Sequence, residues 1–117
     1  MNVPKPSPEF KIASKVIGPS SPAYFIADVA ANHDGDLSRA IDLIYLAAEA
    51  GADAAKFQHF QASKIVSAKG FDDLGAKTSH QANWKSSVYE VYENASIPTD
   101  WTETLAAECA KAGIDFF

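Results

Sequence analysis

Continuous apolar runs alternate along the chain with stretches in which apolar residues recur at helical spacing. This alternation predicts a β-α-β-α-β order. Residues 24–31 form an apolar run that only Asp28 interrupts, which predicts a strand buried on both faces. From residue 37 the apolar positions recur at helical spacing, at 37, 40, 41, 44, 47 and 48. They predict one buried face of a helix over residues 37–50. A second apolar run, residues 54–60, predicts the next strand.

Cap and turn residues divide this pattern into units. Asp36 is placed as the N-cap of the first helix, and Gly51 is placed to end it in a left-handed conformation. The sequence from Pro98 opens a second helix that ends at Gly113, and residues 114–117 begin a third strand. A helix end, a glycine and a strand start therefore occur twice. This repeat predicts a parallel sheet.

The remaining segments are assigned by composition. Residues 1–9 are rich in proline and polar groups and predict a flexible arm, and residues 10–22 predict an N-terminal hairpin. Residues 62–97 are polar and aromatic and predict an elaborated loop over the strand ends, with a stretch at 86–94 compatible with a helix. A chain that ends on an apolar strand after about two and a half βα units is expected to be a fragment, since a complete (β/α)₈ barrel needs about 250 residues.

Composition narrows the class of protein. The 117 residues are 47% hydrophobic, which suffices for one domain, and the net charge of −5 without a basic cluster argues against a nucleic-acid partner. The single cysteine, Cys109, cannot form an internal disulfide. No apolar stretch reaches the roughly 20 residues that span a bilayer, and no signal peptide is visible. A cytoplasmic protein without a membrane partner is expected.

Polar side chains at the predicted strand ends carry the candidate chemistry. Ligands of parallel α/β sheets lie at the carboxyl ends of strands, which would gather Asp28, Lys56 and Gln58 on one functional face. A carboxylate inside an apolar strand needs a partner, and Lys56 is the candidate. The alternatives are a purely structural ion pair and a surface lysine that only extends from a strand end. Three scattered histidines predict no metal site in this chain.

Two motifs in order resemble a known family. Residues 25–36 read Phe-Ile-Ala-Asp-Val-Ala-Ala-Asn-His-Asp-Gly-Asp, and residues 50–58 read Ala-Gly-Ala-Asp-Ala-Ala-Lys-Phe-Gln. Together with residues 87–90 and 111–117, they are similar to the amino-terminal part of N-acetylneuraminate (sialic acid) synthases, which include the legionaminic and pseudaminic acid synthases. The similarity covers residue 10 to the end of the chain.

The resemblance implies a TIM (β/α)₈ barrel, of which this chain supplies the hairpin and about the first two and a half βα units. It implies an enzyme that condenses phosphoenolpyruvate with an open-chain N-acetylated amino sugar, similar to N-acetylmannosamine, and releases phosphate. It also implies a divalent metal, manganese or magnesium, with ligands outside this fragment, and a homodimer at full length. The alternatives are another phosphoenolpyruvate or phosphosugar TIM-barrel enzyme and a non-catalytic fragment.

Roles for individual residues follow from the same resemblance. Lys56 is expected on the carboxylate or phosphate of phosphoenolpyruvate. Asp28 stands where the family usually has glutamate, and it is expected to handle protons or to position the lysine. The other residues expected at the substrate are Gln58, Asn83, Asn32 and His33; the histidine is expected to order its loop by hydrogen bonding. His59 replaces a usual threonine, so the resemblance does not determine the specificity around the sugar.

Overall fold

A computed structural model describes residues 3–5, 8–74 and 85–117. The described elements, in chain order, are β1 (Phe10–Ile12), β2 (Lys15–Ile17), β3 (Ile26–Ala30), α1 (Leu37–Glu49), β4 (Ala54–Phe57), α2 (Ala62–Ile65), α3 (Ala68–Leu74), α4 (Val88–Ala95), α5 (Trp101–Ala112) and β5 (Asp115–Phe116). None of the helices within these ranges is both long and apolar enough to cross a membrane.

The strands β3, β4 and β5 form a parallel sheet in that order. Ile26 pairs with Ala54, and Ala54 pairs with Asp115, so neighbours in the sheet are also neighbours in the chain. Helix α1 precedes β4 and helix α5 precedes β5. The parallel arrangement predicted from the repeated glycine-terminated units is therefore confirmed. β1 and β2 pair antiparallel as the predicted hairpin, with Phe10 opposite Ile17.

A core of buried apolar side chains fills the space between the sheet and helices α1 and α5. Ala40, Ile44 and Ala47 are buried along α1, and Leu37, Ile41 and Ala48 pack against the core, so the predicted helix face is confirmed. The remaining core members are Val29, Ala55, Phe57, Ile97, Leu105, Cys109 and Ile114. Full burial of a Leu or Ile side chain stabilises the fold by roughly 1.5–3 kcal/mol. This core fixes the sheet, and with it the strand ends.

The prediction that β3 is buried on both faces is wrong. Val29 is 6% exposed, but Ile26 on the other face is 47% exposed. The reason is that the core helices cover only one face of the described sheet, and no described element packs on the other face of β3. Side chains of β3 therefore alternate between the core and an open face. The open face is the one that carries the polar residues.

The segment after β4 also differs from its prediction. β4 ends at Phe57 instead of residue 60, and the described part of residues 62–97 contains the helices α2, α3 and α4 instead of an elaborated loop. In α4 the Ser87 side chain accepts from the Glu90 N–H, and the Glu90 carboxylate accepts from the Ser87 N–H. This reciprocal cap explains why the stretch compatible with a helix is one.

Polar contacts attach the hairpin to the amino ends of the strands. The Lys15 ammonium lies 2.7 Å from the Asp53 carboxylate, which also accepts from the Phe25 N–H at 2.8 Å. The Tyr24 hydroxyl donates to Asp115 at 2.6 Å. Asp53 precedes β4 and Asp115 begins β5, so these contacts lie at the end of the sheet opposite to the carboxyl ends. The carboxyl ends stay free of the hairpin.

Candidate functional site

Asp28 and Lys56 lie side by side on the neighbouring parallel strands β3 and β4. They are register partners, and the Lys56 Nζ lies 3.2 Å from an Asp28 carboxylate oxygen. The predicted pairing is confirmed. The expected burial of Asp28 is wrong, because its side chain is 61% exposed on the open face of the sheet. Ion pairs at such exposure contribute only about 0–1 kcal/mol to stability, and both charges stay accessible to a ligand.

The end of β3 carries a β-bulge directly after Asp28. Asp28 pairs with Lys56, but Ala30 pairs with Phe57, so Val29 is an extra residue on β3. Ala30 adopts a φ of 52°, in the left-handed region that costs a residue with a Cβ about 1–2 kcal/mol. Its carbonyl accepts the Gln58 N–H at 3.1 Å. Bulges and strained residues of this kind are frequent beside functional sites.

Gln58 follows β4 by one residue and is exposed. Ala55 and Phe57 are buried, so alternation along the strand places Gln58 on the same open face as Lys56. An amide offers a donor and an acceptor to hydroxyl or acetamido groups. The structure therefore brings three of the predicted site residues, Asp28, Lys56 and Gln58, to one face at the carboxyl ends of two strands.

The β3–α1 loop, residues 31–36, is held by hydrogen bonds around Asn32. The Asn32 N–H and its Nδ2 both donate to the Val29 carbonyl at 2.9 Å. The Asn32 carbonyl accepts from the Arg39 Nε at 2.7 Å, and an Arg39 Nη lies 3.5 Å from the Asp34 carboxylate. Asp36 caps α1 by accepting the Arg39 N–H, as predicted. The side-chain oxygen of exposed Asn32 has no partner among the described residues.

His33 is fully buried beneath this loop. Its Nδ1 accepts the Gly35 N–H at 3.0 Å, which is the loop-ordering bond expected of it. Its ring meets the Trp101 indole edge to face at 5.4 Å between centroids. Burial lowers the pKa of His33, and the Asp34 carboxylate acts weakly in the opposite direction. With no exposed surface, His33 acts on any ligand through the loop.

One predicted site residue and the metal ligands are not among the described residues of this site. Asn83 falls outside the residues that the structure describes. Residues 3–5, 8–74 and 85–117 contain no group of three acidic, histidine or cysteine side chains that could hold a metal ion. Asp28, the carboxylate at the strand ends, is already paired with Lys56. These residues alone therefore do not fit a divalent metal.

Sequence reasoning missed Ala30, Arg39 and Trp101. Arg39 had a weak signal, because it stands three residues after an N-cap and can reach back over the loop. Ala30 had no such signal, since glycine is the residue that usually indicates a left-handed conformation. Trp101 reaches His33 only through tertiary packing of α5 against the loop.

The fold and the site define an α/β protein with a parallel sheet and a polar site at the carboxyl ends of its strands. The model of the NeuB family matches residues 43–117, which is more than half of the chain. The chain belongs to the NeuB family.

Relatives place the chain at the beginning of longer proteins. It is 38% identical over 108 residues to the spore coat polysaccharide biosynthesis protein SpsE of Bacillus subtilis, covering 92% of this chain and 27% of that protein. It is 48% identical over 102 residues to the N,N'-diacetyllegionaminic acid synthase of Legionella pneumophila, covering 85% and 27%. The chain thus spans about a quarter of the length of these curated relatives.

Solved structures agree with this assignment. The crystal structure of Bacillus subtilis SpsE superposes with a TM-score of 0.65 at 34% identity, covering 93% of this chain and 26% of that one. The N-acetylneuraminic acid synthetase of Leptospira borgpetersenii, solved with citrate, superposes with a TM-score of 0.72 at 25% identity, covering 93% and 33%. The α/β class is confirmed, and the chain corresponds to the fold of part of these proteins.

Proposed function

We propose that the full-length protein is a carbon–carbon bond-forming transferase that makes a nonulosonic, sialic-type acid. The substrates would be phosphoenolpyruvate and an open-chain N-acetylated amino sugar similar to N-acetylmannosamine. Membership of the NeuB family supports this proposal, and relatives in it are named as legionaminic and pseudaminic acid synthases. The observation that carries it is the exposed Asp28–Lys56 pair at the carboxyl ends of two parallel strands.

The proposed chemistry begins when C3 of the enol attacks the aldehyde carbon of the sugar. Water then adds at C2, and phosphate leaves from the resulting tetrahedral intermediate as the C2 keto group forms. Lys56 would bind the carboxylate or phosphate of phosphoenolpyruvate, because an anionic ligand needs a cation where solvent is partly excluded. Asp28, 3.2 Å away, would position that ammonium and exchange protons with the reacting groups.

Neutral polar side chains would bind the sugar. Gln58 and Asn83 would orient its hydroxyl and acetamido groups. The side-chain oxygen of Asn32, which has no partner among the described residues, would accept a hydrogen bond from a sugar hydroxyl at the end of β3. His33 would contribute by holding the β3–α1 loop.

Three further parts of the proposal rest on the family resemblance. The (β/α)₈ barrel would be completed by strands beyond those described. A divalent metal, manganese or magnesium, would take its ligands from residues outside the described ranges. A cytoplasmic homodimer would be the working form.

The proposal is tested by Lys56→Ala in the full-length gene product. Loss of a charge-assisted hydrogen bond, worth about 1.5–3 kcal/mol, should raise the KM for phosphoenolpyruvate about tenfold or more. Lys111→Ala is the matched control, because it removes a 2.8 Å lysine–carboxylate pair on α5 away from the strand ends. Steady-state phosphate release at varied phosphoenolpyruvate measures both. An unchanged KM in the Lys56 variant would count against the assignment.

A further inference from the structure

His33 is the one polar side chain that is fully buried among the described residues. Its Nδ1 can accept the Gly35 N–H only when that nitrogen carries no proton. The neutral ring therefore has its hydrogen on Nε2, which has no partner in the described parts of the chain. Protonation would set one N–H against another at Nδ1 and would add a charge in a site without solvent.

Three segments surround the loop that carries His33. From α5 the Trp101 indole packs against it. From the end of α4, the Asn94 carbonyl oxygen lies 3.7 Å from where a Cβ on Gly35 would stand. From the loop itself, the His33 carbonyl accepts the Asp36 N–H at the entry to α1. Displacement of the imidazole would therefore remove the Gly35 hydrogen bond and the Trp101 contact that hold the loop between Asn32 and α1.

We propose that neutral His33 is a positioning residue, which holds Asn32 and the end of β3 for the ligand and releases them when its ring is protonated. The proposal rests on the proposed function only in placing the ligand at these strand ends. The contacts of the ring and their dependence on its protonation stand on the geometry alone.

The charged groups near the ring do not replace this requirement. The Asp34 carboxylate acts to raise the pKa of His33, and it lies 3.5 Å from an Arg39 nitrogen. Asp36 is engaged at the N-terminus of α1. The α5 group that touches the ring is the uncharged Trp101 indole, and the α4 group beside Gly35 is the uncharged Asn94 carbonyl. No described carboxylate reaches Nε2 to stabilise an imidazolium.

The first test needs no ligand. Histidine titration by NMR on the full-length gene product should give His33 a midpoint below the ordinary histidine value of 6.5, and the protection factor of the Gly35 amide should fall as His33 becomes protonated. A His33 midpoint at or above 6.5, or a Gly35 amide that stays protected after His33 has titrated, would overturn the proposal. Failure of the proposed enzymatic function would leave this result untouched.

The second test separates hydrogen bonding from packing. His33→Asn keeps an acceptor where Nδ1 stands and does not titrate, whereas His33→Leu fills the volume without an acceptor. We expect His33→Asn to retain kcat/KM within about threefold at neutral pH. It should also lose the decrease of kcat/KM at acidic pH that protonation of His33 causes in the wild type. In His33→Leu, kcat/KM should decrease tenfold or more, because the KM for the sugar rises. Equal behaviour of the Asn and Leu variants would show that the ring only fills space, and would refute the proposal.

Discussion

Replacing Ala30 by glycine should stabilise the protein, although glycine in a strand normally weakens it. The φ of 52° costs alanine about 1–2 kcal/mol, and glycine adopts it without that cost. Against this, glycine adds about 0.4–1 kcal/mol of conformational freedom to the unfolded chain. The difference leaves a net gain of about 0.5–1 kcal/mol. A β-branched residue is more strained at such a φ, so Ala30→Val should be less stable than the wild type.

Urea unfolding of the three forms, followed by circular dichroism, measures this order. Ala27→Gly is the matched control on the same strand, because the φ of Ala27 is not positive and glycine there should cost about 0.5–1 kcal/mol. The two glycine variants should therefore move the free energy of unfolding in opposite directions. Ala30→Gly that destabilises as much as Ala27→Gly would refute the reasoning and place Ala30 in an ordinary strand conformation.

Three other predictions concern stability and reactivity. Leu105→Ala should cost about 2–5 kcal/mol in urea unfolding, because the side chain is fully buried between α5 and the sheet; a cost below 1 kcal/mol would contradict that packing. Hydrogen bonds from Lys15 and the Phe25 N–H hold the pKa of Asp53 below its ordinary value, so its contribution is present above the unfolded pKa of 3.8 and is lost as pH falls through the lower folded pKa. Asp53→Asn should abolish that part of the acid dependence in pH-dependent unfolding, and an unaltered profile would contradict it. Burial raises the pKa of Cys109 to about 11, so a thiol reagent should react with it only on unfolding; rapid reaction of the native protein at pH 8 would contradict its burial.

Much of the fold could be predicted because local periodicity and caps determine it. The face of α1 follows from spacing alone, and Asp36 caps the helix as its position indicated. The repeated glycine stops, of which Gly113 adopts a φ of 76°, indicated parallel strands. Each of these features depends on residues close together in the chain.

What could not be predicted depends on packing between distant segments. The hydrophobicity of β3 does not indicate which of its faces a helix covers. The exposure of Ile26 and Asp28 could therefore be determined only from the structure. The residue types at positions 29 and 30 do not indicate the bulge at Val29 or the conformation of Ala30. The burial of His33 arises from Trp101 far along the chain. The site residues could be named from the strand ends, but their geometry could not.

We propose that Asp28 and Lys56 serve the condensation of phosphoenolpyruvate with an N-acetylated amino sugar. The most direct measurement incubates the full-length gene product and its Lys56→Ala variant with both substrates, and follows phosphate release together with the mass of the sugar product. We expect one phosphate for each nonulosonic acid formed by the wild type, and a loss of both in the variant at low phosphoenolpyruvate. Phosphate release that needs a different aldehyde, or equal turnover by the variant, would contradict it.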